Sequence, residues 1–162
     1  TMVSIAPTQG PLGIPFRVED VVLTADAAIT KGQVCKLTLD TSNLVFDAAT
    51  PAAAADSIFD ADADGTSDLF HLFGVALEDI AINKKGSFRL KGVVEALGGD
   101  TTAAQLPLKV GADGELVVAD GNPAADGASN QRVIAISLET LADATLKKVL
   151  FDGLNGFGAI EP

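Results

Sequence analysis

The sequence predicts a mostly β protein, an antiparallel β-barrel or a β-tulip or sandwich, with an extended N-terminal arm and one or two short helices. Three observations carry this expectation. Apolar and polar residues alternate in several short stretches: Cys35, Leu37 and Leu39 stand between Lys36, Thr38 and Asp40, the period of a half-buried strand. Turn signals such as Lys31-Gly32, Thr41-Ser42-Asn43 and Ala112-Asp113-Gly114 separate these stretches at fairly regular spacing. No long amphipathic segment supplies the crossover helices that a parallel βαβ sheet needs.

Along the chain, residues 1–16 carry Pro7, Pro11 and Pro15 with Gly10 and Gly13, too dense for a helix and without strand alternation, so they read as the arm. Residues 17–162 read as one β domain. Val21, Val22 and Leu23 open it, and Leu44-Val45-Phe46 returns beside the Cys35 to Leu39 strand as a hairpin. Thr50 and Pro51 have N-cap and first-turn preferences, and the alanines after them favour a short helix. The apolar run Leu69 to Leu77 then resumes the β pattern, and Asn83-Lys84-Lys85-Gly86 turns into a strand holding Phe88 and Leu90. Leu106, Leu108 and Val110 alternate before Leu116-Val117-Val118, with Pro107 placing that strand at an edge or at its own start. Ile134, Ile136 and Leu138 form another strand, with residues 149–151 as its partner, and residues 153–162 look irregular.

The domain also resembles itself. A shift of about 61 positions lays Val75-Ala76-Leu77-Glu78 on Ile136-Ser137-Leu138-Glu139, Phe88 on Val149, Leu90 on Phe151 and Gly92 on Gly153. The hairpin from Leu39 to Phe46 is similar to that from Val110 to Val118. Two similar halves, 17–97 and 98–162, are one expectation; chance likeness among short apolar strands is the other.

Composition excludes several function classes. A formal net charge of -11, from 22 acidic and 11 basic residues, repels phosphate backbones, so no nucleic-acid partner is expected. The acidity suits a solvated surface or attraction to a basic partner surface. No apolar run approaches the roughly 18 to 20 residues that cross a bilayer, so no membrane partner is expected, and no signal peptide is visible at the start. Cys35 is the only cysteine and reads as a small core residue, leaving no intrachain disulfide and no cysteine cage.

His71 is the sole histidine and reads as structural, which removes histidine-pair metal sites and most acid-base constellations. The loop from Asp60 to Asp68 alternates Asp as an EF-hand does, but His71 stands where that loop needs a bidentate Glu, so it reads as a plain acidic loop. No serine lies in a nucleophile-elbow pattern, and Gly98-Gly99 belongs to no phosphate-binding loop. Trp and Tyr are absent, which weakens a sugar-binding role. The reading is a protein that is not an enzyme, with no catalytic residue, cofactor or metal assigned.

Three segments carry a family resemblance: Ala27-Ala28-Ile29-Thr30-Lys31-Gly32-Gln33-Val34, then Phe73-Gly74-Val75-Ala76-Leu77-Glu78-Asp79, then Arg89 to Val94. They resemble the capsid decoration (head cement) proteins of tailed bacteriophages. The resemblance implies a structural virion protein on the outer capsid surface, made in the cytoplasm of a bacterial host. It further implies a homotrimer whose partner is the major capsid protein and whose work is to stabilise the shell. A head-fibre or receptor-binding module of a phage particle is the alternative.

Overall fold

Leu23 and Ala25 alternate inward along β1 (Glu19–Ala25), and the structure, a computed structural model describing residues 18–59, 71–119 and 130–160, shows what they meet. The expected arm and the acidic loop from Asp60 to Asp68 lie outside the described residues. β1 pairs antiparallel with the first half of β6 (Lys85–Leu97), Asp20 opposite Arg89, and parallel with the end of β3 (Val45–Pro51), Thr24 opposite Ala48. β3 runs antiparallel to β2 (Val34–Asp40), β2 to β5 (Phe73–Ala76), and β5 to β6. The five strands close into a barrel, so no backbone edge is left unpaired around the ring. Leu23, Cys35, Leu37, Ala76 and Phe88 are among the residues that fill it.

A second ring repeats the plan. The second half of β6 pairs with β11 (Leu146–Asp152), β11 with β10 (Ala135–Ser137), β10 with β7 (Pro107–Val110), and β7 with β8 (Leu116–Val118). A parallel bridge between Gly98 and Leu116 returns to β6 and closes this ring.

The two rings match at many of their contacts. Val34 opposite Val75 becomes Pro107 opposite Ile136, and the Ile29–Ile80 bridge becomes Thr102–Leu141. The Glu78 carboxylate accepts the Ser87 N–H at 3.0 Å, as Glu139 accepts that of Lys148 at 3.2 Å. Even left-handed backbone recurs, at Gly32 and Gln105 and again at Asn83 and Ala144. β6 serves both rings, so the second has no first strand of its own. The strand bends at Gly92, whose φ of 120° is a conformation glycine adopts freely.

The second ring sits on the side wall of the first. Val34, Phe73 and Val75 face away from the first interior and join Leu108, Val110 and Phe151 in one buried cluster. The tip between β7 and β8 closes against the same wall: the Asp113 carbonyl accepts the Gln33 Nε2–H at 2.7 Å. A Cβ on Gly114 would lie 2.4 Å from the Val34 carbonyl oxygen.

Three short strands, β4 (Ile58–Phe59), β9 (Asn130–Arg132) and β12 (Ala159–Ile160), make a separate antiparallel sheet. The helix expected from Thr50 and Pro51 is not there. Both residues lie in β3, opposite Lys36 and Cys35, and a single 3-10 turn follows at Ala54–Ser57. Pairing of Thr50 and Pro51 with β2 carries the strand through the expected helix start, and the alanines that follow enter only that short turn. Pro107 begins its strand, where its missing donor costs nothing. In β10 the inward residues are Ala135 and Ser137, while Ile136 is only partly buried on the outer wall.

Candidate interaction surface

The groups with chemical potential are held in structural roles. Cys35 is fully buried, and desolvation pushes its thiol up to about 12, so it stays protonated and unreactive at neutral pH. His71 lies partly buried with its Nε2 3.5 Å from Asp56 Oδ1, which also receives Lys36 Nζ at 3.2 Å. The other Asp56 oxygen accepts the Ala53 N–H at 2.7 Å and so fixes the 3-10 turn.

Arg132, buried on β9, donates to the carbonyls of His71 and Leu154 and lies 5.5 Å from the centre of the Phe73 ring. Burial lowers its pKa, and the charge of Asp152 opposes that shift. Arg132 thus ties the short sheet to both rings. Sequence reading missed it, because a single Arg inside a loop-like stretch carries no periodic signal. Among the described residues no three His, Cys, Asp or Glu side chains gather as metal ligands, and no catalytic constellation forms. Gly98 belongs to the ring closure: a Cβ there would lie 2.6 Å from the Ala142 carbonyl oxygen.

A groove of about 270 Å³ lies in the crook of β6, with Lys31, Arg89, Glu95 and Lys148 on its walls. It is smaller than the roughly 300 to 1,000 Å³ of small-molecule sites. Its arginine is already engaged: Nε and Nη2 donate to the two Asp20 oxygens at 2.8 and 3.0 Å, and Nη1 to the Val93 carbonyl at 2.8 Å. These bonds make it a brace across the bend.

What the molecule presents outward is the β2–β3 hairpin. It runs past the point where the β7–β8 hairpin turns, adding the pairs Thr38–Ala48, Leu39–Phe46 and Asp40–Val45. A bulge after Thr38 re-aims this extension. Asp40 closes its turn by accepting the Ser42 N–H at 2.8 Å and the Asn43 Nδ2–H at 2.7 Å, bonds that lower its pKa. Beyond the turn, Leu44 is 78% exposed with φ at 57°, a conformation costly for a bulky side chain. Leu39, Val45 and Phe46 are exposed beside it, so the tip gathers four large apolar groups; Val18, Val22, Ile82 and Phe157 are the others exposed among the described residues.

No family model matches the chain, and no curated protein matches it. Among solved structures it is similar to the head fiber gp8.5 N base of bacteriophage phi29, at 14% sequence identity and a TM-score of 0.56. The match covers 90% of this chain and 99% of that one. This likeness is one of fold, a mostly β architecture with a closed five-stranded barrel and further strands.

It corrects the resemblance to capsid decoration (head cement) proteins, because the matching structure is the base of a head fibre. The homotrimer implied by that resemblance finds no support with it. The physical reason is visible in the rings. The Ile29-Thr30-Lys31-Gly32 turn, the β5 strand (Phe73–Ala76) and the Arg89 to Val94 bend each serve barrel closure. Such segments report a barrel and not what the barrel attaches to.

Proposed function

We propose that this chain is a structural module of a phage particle, the β-barrel base of a head fibre, and that its partners are other components of that particle. The observation that carries this reading is the fold likeness to a head-fibre base over nearly the full length of both chains. Other features agree with it. Two closed rings sharing a strand make a stiff support, and their closure hides the backbone edges that would make an exposed β protein aggregate. The excess of acidic residues keeps such a body soluble outside a shell. Among the described residues, half of the exposed large apolar side chains gather at a hairpin tip, the shape of an attachment point and not of a substrate cleft.

The test is made on purified particles carrying the gene for this chain. Mass spectrometry of the particles should find the protein, and gold-labelled antibodies should mark projections from the head. Absence from particles, or label confined to the tail, would overturn the proposal.

A further inference from the structure

We propose that copies of this chain associate head to tail, the β2–β3 hairpin tip of one seated on the β7–β10 wall of the next, repeating between molecules the contact that joins the two rings within each. The internal contact has two sides. One is the hairpin end of the second ring, where Asp113 and Gly114 close against the chain at Gln33 and Val34. The other is the outer wall of the first ring, where Val34 and Val75 are fully buried by that docking.

Ring equivalence assigns a counterpart to each side, and among the described residues neither counterpart is buried as its equivalent is. The hairpin end of the first ring is the β2–β3 tip with Leu39, Leu44, Val45 and Phe46 exposed. The outer wall of the second ring carries Pro107 opposite Ile136 at the Val34 and Val75 positions, both partly exposed with Leu106 and Leu138 beside them. A donor without a wall and a wall without a donor thus stand on one molecule, the arrangement of a heterologous contact between identical copies. The differences fit an intermolecular role. The free hairpin is longer by three strand pairs and ends in apolar side chains, where the internal tip docks through backbone and glycine. A contact made without a covalent tether needs that added apolar area to offset the entropy of association.

The inference stands apart from the particle reading and is tested on the purified full chain by sedimentation velocity across a concentration series. Phe46→Asp removes the donor and Ile136→Asp the acceptor; both residues are exposed enough for folding to be retained, which circular dichroism verifies. Wild type should form concentration-dependent assemblies, and each variant alone should sediment as a monomer. An equimolar mixture of the variants should give a two-copy species, because each lacks a different side of the contact. A monomeric wild type at every concentration overturns the proposal. So does assembly of both variants as in wild type, or a mixture that stays monomeric while wild type assembles, the mark of a self-complementary contact.

Discussion

Ser137 and Ala76 hold equivalent places in the two rings, and the difference between them is set by one backbone donor. In the first ring the Gln33 N–H is taken by the Thr30 carbonyl at 3.0 Å, so the inward side chain can be a methyl. In the second the corresponding Leu106 N–H donates to Ser137 Oγ at 3.0 Å, while that hydroxyl donates to the Ala103 carbonyl at 2.9 Å. Ser137→Ala should therefore lower stability by about 1 to 3 kcal/mol in urea denaturation, the cost of leaving buried partners unpaired. Ala76→Ser should also destabilise, because the first ring offers no vacant donor. Equal stability of both variants with wild type would remove this account.

Cys35 gives a pH prediction of definite sign. The folded thiol ionises near 12 and the unfolded one near 9.0, so above pH 9 the unfolded chain holds fewer protons than the folded one. The associated stability is present below pH 9 and is lost as pH rises toward 12, by at most about 1.4 kcal/mol per pH unit. Denaturation midpoints of wild type and Cys35→Ala should converge over that interval, and a constant offset would refute the assignment. The burial of Cys35 was legible from its apolar alternation. The role of Ser137 was not, because a serine between Ile136 and Leu138 signals nothing until the chain folds back at Leu106.

At the scale of elements, β6 decides the architecture, and Arg89 holds its bend. The guanidinium makes a two-pronged pair with Asp20 and reaches across the bend to Val93, a geometry lysine lacks. Arg89→Lys and Asp20→Asn should each cost about 1 kcal/mol, and the double variant little more than either, since both break one partly exposed pair. Chemical denaturation of the four proteins measures this; additive losses would show that the two side chains act separately. Strand existence here was readable from Phe88 and Leu90. The bend was not, since Gly92 looks like any glycine until its φ is known. The strands β4, β9 and β12 are two or three residues long and too short for periodicity to register. The misplaced helix near Pro51 has a related origin: local preference was legible, and the pairing of Thr50 and Pro51 with Lys36 and Cys35 was not.

For the whole molecule, the sharing of β6 makes the two rings one cooperative unit although each has its own interior. The second ring borrows its first strand from β6, and its floor is the outer wall of the first ring, where Val34, Phe73 and Val75 have no exposed surface. If the second ring opened alone, that wall would meet water, at roughly 1.5 to 3 kcal/mol for each large side chain uncovered. If the first ring opened alone, β6 would lose β1 and β5 over its first half while its second half still carried β11. One partial state exposes the apolar wall and the other leaves half of β6 short of partners, so neither should accumulate, even though a chain of 162 residues is long enough for intermediates to be common. Urea unfolding followed by far-ultraviolet circular dichroism should give a single transition. Native-state hydrogen exchange should return the same opening free energy for the amides of Phe88 in one ring and Val149 in the other. A plateau between two transitions, or protection at Phe88 that outlasts Val149 by more than about 1 kcal/mol, would mean that the shared strand does not couple the rings.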